Sequence, residues 1–230
     1  VDIIKVSLPR PYGYGVKRVM IPCGRKFGKS SLAKYLAHNF AAYFKGFRVY
    51  ILAPMQKQAG EIYWHSGEVP NFFKAEGEDN LVVSKIDQMG MRVEFINGSF
   101  IKVDGSDNFD AQRGWNPDVI IADEIADFDK RWFEVMLPNL VARDAWLIML
   151  GTPPRTPVLP DGSRHFFVEY AEEYQEMMTR GKAFFHTGSA YDNPSVKREV
   201  LDEEIRKLEA KGEHITVRRE YLGEIVLGGA

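Results

Sequence analysis

The chain has 230 residues, 45% hydrophobic and 27% charged, with 30 Lys and Arg against 32 Asp and Glu for a formal charge of −2. This supports one globular domain with an appendage, and it excludes both a disordered chain and a small scaffold that needs disulfides or a structural metal. It also excludes a uniformly basic coat, so any nucleic-acid contact must come from a local patch.

The single cysteine, Cys23, rules out an intrachain disulfide and a cysteine zinc cluster, and the five histidines have no ligand spacing. No apolar run approaches the ~18 residues that span a bilayer, and no signal peptide opens the chain. Both point to a soluble protein of a reducing compartment, and the start at Val1 reads as a trimmed fragment.

Bases are concentrated early: Lys5, Arg10, Lys17, Arg18, Arg25, Lys26 and Lys29 face one acid, Asp2, in the first thirty residues. The apolar runs Arg18–Pro22, Phe47–Ala53, Val119–Asp123, Trp146–Gly151 and Ala183–Thr187 read as buried parallel strands. Helical patterns fall near Ser31–Phe44, Gln56–His65, Lys130–Val141 and Arg164–Arg180. Leu81–Ile86, Met91–Ile96 and Phe100–Val103 read as a meander turning at Asn97-Gly98. The alternation predicts an α/β fold, a mostly parallel sheet with helices on both faces and an antiparallel extension. The last forty residues predict a small helical appendage. A helix over Val196–Lys211 has Ser195 as its N-cap, apolar positions at Val200, Leu201, Ile205 and Leu208, and Gly212 as its stop.

Chemistry enters at Cys23-Gly24-Arg25-Lys26-Phe27-Gly28-Lys29-Ser30, after a strand and before a helix. Backbone N–H groups and a helix N-terminus there can surround a phosphate. Lys29 supplies a charge for the β and γ phosphates of a nucleotide such as ATP, and Ser30 a hydroxyl for Mg²⁺. Cys23 stands where the full P-loop pattern has its first glycine. Val119–Ala122 then leads into Asp123-Glu124, where the first acid can sit by Mg²⁺ and the second can act as general base on water. Leu150-Gly151-Thr152-Pro153 places a hydroxyl at another strand end, and Ala53-Pro54 with Gln58 and Ala59 is a weaker signal.

Three other clusters read as structure. Asp104, Asp107 and Asp110 do not have EF-hand spacing and read as a turn-rich loop. Phe166, Phe167, Tyr170 and Tyr174 line one helix face and read as core. Arg218-Arg219 is offset by nearby acids.

Taken together, the arginine-bearing P-loop, Asp123-Glu124, Gly151-Thr152-Pro153, Asp192-Asn193-Pro194 and Glu220-Tyr221-Leu222-Gly223-Glu224 resemble the ATPase domain of phage large terminase subunits, from about Lys17 to Val226. The resemblance implies a P-loop NTPase of the ASCE, RecA-like kind, with an αβα core over 1–189 and a C-terminal helical lid over 190–230. It implies an ATP- and Mg²⁺-dependent motor moving double-stranded DNA into a procapsid. Gly24, Arg25, Lys26, Phe27, Gly28, Lys29, Ser30 and Ser31 then hold nucleotide, and Ser30 and Asp123 hold Mg²⁺. Glu124 is the catalytic acid, Arg25 meets the γ-phosphate in cis, and Thr152 couples hydrolysis to movement. Arg113 resembles an arginine that enters a neighbour's site, with Arg143 and Arg155 as competitors.

Implied partners are the portal protein, the small terminase subunit and further copies in a ring; the implied setting is the cytoplasm of an infected bacterium, not the mature virion. The family's glutamine for adenine is missing from Pro9–Val16, leaving Tyr12 or Tyr14 as base-stacking candidates. No room remains for the family's nuclease domain, so this chain alone is expected not to cut DNA. A helicase-like ATPase and an ATP-binding assembly switch without turnover are the alternatives.

Overall fold

The computed structural model describes residues 3–10, 13–72 and 82–227. Seven α-helices are present among them: α1 (Ile3–Ser7), α2 (Lys29–Tyr43), α3 (Gln56–Ala59), α4 (Arg131–Ala142), α5 (Phe166–Thr179), α6 (Arg198–Ala210) and α7 (His214–Glu220). The strands are β1 (Arg18–Pro22), β2 (Arg48–Ala53), β3 (Val83–Asp87), β4 (Arg92–Phe95), β5 (Phe100–Gly105), β6 (Val119–Ala122), β7 (Trp146–Gly151) and β8 (Phe184–Phe185). They are hydrogen-bonded in the order β3-β4-β5-β2-β6-β7-β1-β8. β2 pairs in parallel with β5 and β6, and β1 pairs in parallel with β8, while β3-β4 and β4-β5 are antiparallel. The fold is therefore α/β, mostly parallel with an antiparallel extension. No helix among the described residues is long and apolar enough to cross a membrane.

Two compact units make up the chain, with β7 contributing residues to both. The first comprises Val1–Arg18, Ser30–Asp123 and Phe128–Ile148. β2 and β6 are apolar on both faces because they are covered on both: every residue of β6, and all of β2 after Arg48, is buried. The Asn97-Gly98 turn forms as expected, with Gly98 at φ 82. It also has a second function that the turn pattern does not reveal. Asn97 Nδ2 donates to the carbonyls of Ala41 (2.8 Å) and Ala42 (3.0 Å), and Ser99 Oγ donates to Phe44 O (2.6 Å). Carbonyls left over at the end of α2 are thus satisfied by the hairpin.

Trp132 is fully buried on α4 and donates through Nε1 to Gln112 Oε1 at 3.1 Å. Gln112 Nε2 in turn donates to Gly105 O at 2.6 Å. Trp132→Ala is expected to lower unfolding free energy by about 3–5 kcal/mol, because it leaves a cavity and strips a buried amide of its donor. Urea unfolding with an unchanged m-value checks this, and a loss under about 1 kcal/mol would show that the site collapses around the gap.

The second unit comprises Val19–Lys29, Glu124–Asp127 and Met149–Ala230. Phe166, Phe167 and Tyr174 are buried on α5 and Tyr170 is half-buried, so the aromatic stripe is core. α6 and α7 share a small core of Ala190, Leu201, Ile205 and Val217, with Leu208 and Tyr221 packed against it.

Several expected boundaries are corrected. Ser195 is not the N-cap of α6, which starts at Arg198 behind Lys197; Ser195 N instead donates to Asn193 Oδ1 at 3.0 Å. Val200 is 63% exposed and so lies off the apolar stripe. The last strand shrinks to Phe184–Phe185, and Leu81 lies outside the described residues. The helix expected over Gln56–His65 is α3 followed by a π-helix, Gly60–Trp64. Asp104 belongs to β5 and pairs with Lys102 (2.8 Å), Asp107 accepts from Gln56 N (3.1 Å), and Asp110 holds Arg113 (2.9 Å), so the three acids have separate partners.

Candidate active site

The second unit contains the loop that follows β1. Its backbone is fixed at each step: Cys23 N donates to Gly151 O (2.9 Å), Gly24 N to Gly188 O (2.9 Å) and Arg25 N to Glu220 O (2.5 Å). Gly24 is required by packing, since a Cβ there would stand 2.5 Å from Tyr221 O. Gly28 is required by conformation, with φ 102 and no atom nearer than 3.7 Å to an added Cβ. Lys26 adopts φ 65.

The first residue of α2 meets residues that follow two strands. Lys29 Nζ lies 3.0 Å from Glu124 Oε1 and donates to Thr152 Oγ1 at 3.0 Å. Thr152 N donates to Glu124 Oε2 at 3.2 Å, so both carboxylate oxygens have a donor. Glu124 has φ 53, a left-handed conformation that a side chain enters at a cost of about 1–3 kcal/mol. That turn redirects the chain as it leaves β6, and Asp127 N closes it on Glu124 O at 3.0 Å. Burial holds the Asp127 carboxyl above its usual range, and the Glu124 charge adds to this, against the opposing pull of His165 and Arg155.

A second group belongs to the first unit. Asp123 is 1% exposed; its Oδ2 accepts from Ser30 Oγ at 3.5 Å and from the hydroxyl of Tyr63. Tyr63 sits on the π-helix, whose wider turn follows α3 directly. Such turns recur at functional sites, and Tyr63 is a partner of Asp123 that helical periodicity does not single out. Ser31 stands exposed in the first turn of α2, which contains no acid. That leaves the N-terminal dipole end suited to an anion.

The remaining predicted residues have other partners. Arg25 Nε pairs with the buried carboxylate of Glu220 at 2.5 Å, and Arg219 holds the other oxygen at 2.5 Å. Arg155, Arg25, Arg219 and Glu220 line a cavity of about 450 Å³. Arg113 is exposed and paired with Asp110, and Arg143 is anchored on Asp118. Tyr14 lies beside α1, where Tyr14 N donates to Lys5 O (2.8 Å) and the Lys5 ammonium sits 5.6 Å from its ring. Tyr12 lies outside the described residues.

No protein-family model matches the chain, and no curated protein matches it. Solved structures do. The large terminase ATPase domain of Thermus phage P74-26 superposes with a TM-score of 0.72 at 20% identity, over 98% of this chain and 94% of that one. The fold is that of a phage large terminase ATPase domain. The large terminase of a second thermophilic bacteriophage gives a TM-score of 0.72 at 14% identity, over 98% of this chain and 52% of its own. That of bacteriophage HK97 gives 0.71 at 14% identity, over 94% and 47%. The chain thus spans about half the length of these two large terminases. The second thermophilic phage's terminase has also been solved with ADP and with ATP-γ-S.

Proposed function

We propose that this chain is the ATP-hydrolysing motor domain of a viral DNA-packaging machine, with residues 1–189 as its core and 190–230 as a lid. The observation that carries this reading is the Lys29–Glu124–Thr152 triangle. It brings a phosphate-seeking ammonium, a strained strand-end carboxylate and a second strand-end hydroxyl within hydrogen-bond reach of one another. The terminase fold and the nucleotide complexes of the thermophilic phage terminase support it.

In this reading the Gly24–Ser31 loop cradles the phosphates of ATP through those of its backbone N–H groups that are not already spent, as those of Gly24, Arg25 and Phe27 are on the carbonyls of Gly188, Glu220 and Gly24, and Lys29 supplies the charge. Ser30 and Asp123 offer two hard oxygens, the donor set Mg²⁺ uses when substrate phosphates and water complete its shell. When bound, Mg²⁺ neutralises charge on the β and γ oxygens. Tyr63 orients the Asp123 carboxylate by its hydroxyl. Glu124 takes a proton from the attacking water, and Thr152, which touches both Lys29 and Glu124, passes the change of partners into the loop after β7. Double-stranded DNA, the portal, the small terminase subunit and further copies of the chain are the proposed partners, in the cytoplasm of an infected bacterium. Cutting of DNA is not assigned to these residues.

One observation favours a second reading, an assembly switch that binds ATP without turnover alone. The ammonium that must meet phosphate is bound to the carboxylate that must meet water, so both have to be released before reaction. Steady-state phosphate release from ATP and Mg²⁺, with blunt and forked DNA added in turn, separates the readings. The motor reading expects turnover above a Lys29→Ala background and no unwinding of forks. Background release with intact nucleotide binding supports the switch, and unwinding supports a helicase-like enzyme.

A further inference from the structure

The loop after β1 is braced from outside by a segment of the same unit. Lys26 holds a left-handed conformation that L side chains rarely adopt (φ 65). Its carbonyl accepts a hydrogen bond from Asn193 Nδ2 at 2.5 Å, from a residue 167 positions away. The sense of that amide is fixed on its other side, because Asn193 Oδ1 accepts from Ser195 N at 3.0 Å. The nitrogen is therefore the atom that faces the loop. Nδ2 also lies 3.7 Å from where a Cβ on Gly28 would stand, so it reaches both non-standard positions of the loop.

The surrounding sequence explains why the amide is rigid. Pro194 confines the residue before it to extended backbone, and Asn193 has φ −89 and ψ 111. Just upstream, Ser189 and Asp192 form a reciprocal capping box, with Ser189 N donating to Asp192 Oδ2 at 2.7 Å and Tyr191 N to Ser189 Oγ at 3.1 Å. Ser189 to Ser195 is thus a bracket with one amide directed at Lys26.

We infer that Asn193 is a positioning residue of the phosphate-binding loop, locking Lys26 in its left-handed conformation and so pre-aiming the N–H groups of Gly28 and Lys29. This rests on the nucleotide-binding reading above and extends it from the loop to the first residues of the lid. A cradle binds tightly when its donors are aimed before the ligand arrives, whereas a loosened loop loses that affinity to its own ordering on binding.

The test uses Asn193→Ala and Asn193→Asp in the full chain, with hydrogen exchange of residues 24–29, the Kd for Mg²⁺ with ATP-γ-S, and KM and kcat for ATP. Asn193→Ala is expected to speed loop exchange about tenfold and raise Kd and KM about tenfold, the scale of one lost hydrogen bond. kcat should change less than about threefold, since the contact is the same before and during reaction. Asn193→Asp keeps the Ser195 acceptor but sets a carboxylate against Lys26 O, so it should bind nucleotide more weakly than Asn193→Ala while still folding. In a Lys26→Gly background the loop reaches the same φ unaided, so the Asn193→Ala penalty should shrink to under about twofold. A merely structural bracket would give the same penalty in both backgrounds.

Unchanged loop exchange in Asn193→Ala, or an equal Kd penalty in both backgrounds, overturns the inference. If exchange responds as expected but the unsubstituted chain binds no nucleotide, the positioning stands and the function reading is what fails.

Discussion

Glu124→Gln lowers steady-state ATP hydrolysis by about 10²–10⁴-fold while leaving nucleotide binding within a few-fold of the starting protein. The size of the loss follows from removing a general base while keeping the side chain's length. The geometry makes the expectation more specific. In the parent, Thr152 N–H faces one carboxylate oxygen and the Lys29 ammonium faces the other. A glutamine can satisfy only one of these donors with its carbonyl oxygen; its NH₂ is turned toward the other. Glu124→Gln therefore also loosens Lys29, and a modest gain in nucleotide affinity is compatible with the reading.

Glu124→Asp separates the two effects. It keeps a carboxylate but draws it back by one methylene, so at least one anchor is lost while proton acceptance remains. Its rate should fall between parent and Glu124→Gln. Phosphate release measured under single-turnover conditions checks the chemical step directly. A Glu124→Gln rate within about threefold of the parent would sink the assignment of Glu124 as base and leave the Lys29 pair as a structural link.

How much of this site was legible in the sequence depends on the range of the interactions that build it. The strands could be read because β2, β6 and β7 are buried on both faces and carry continuous apolar runs, and Asp123-Glu124 stands out only together with the loop after β1, since acids often end a strand. The Asn97-Gly98 turn was legible for the same local reason. Partners distant in sequence were not. Arg25 reads as a phosphate ligand by its place in the loop, yet its guanidinium is held by Glu220, 195 residues later, on α7. Tyr63 was hidden because the π-helix shifts its side chain relative to the α-helical period that a pattern reading assumes. Ser195 had the chemistry of an N-cap and the right neighbourhood, but Asn193 Oδ1 takes its N–H and the helix starts three residues further on. Of the Asp-Asn-Pro motif, the sequence resemblance supplied only a pattern; the geometry supplies a reason for each residue.

Arg113→Ala lowers hydrolysis by about 10³-fold or more at protein concentrations where the parent's rate climbs faster than linearly, the scale expected when a guanidinium on the transferring phosphoryl is lost. The surroundings of the three candidate arginines support this choice. Arg143 is paired with Asp118, whose other oxygen accepts from Arg48 N at 3.0 Å, so it serves to join loops within its own unit. Arg155 shares its cavity with Arg25, Arg219 and Glu220 of its own chain. The Arg113 guanidinium is tied to Asp110, both side chains are mostly exposed, and exposed pairs of this kind hold their members weakly. It is the arginine most readily released to another copy. Mixing provides the sharper test, since Arg113→Ala and Glu124→Gln are each inactive for different reasons. If the arginine acts across copies, an equimolar mixture forms some sites with an intact Glu124 on one chain and an intact Arg113 on the next, and activity returns. If Arg113 acts only within its own chain, the mixture stays as inactive as its parts. In that case a rate strictly linear in concentration would move the search to Arg25 and its release from Glu220.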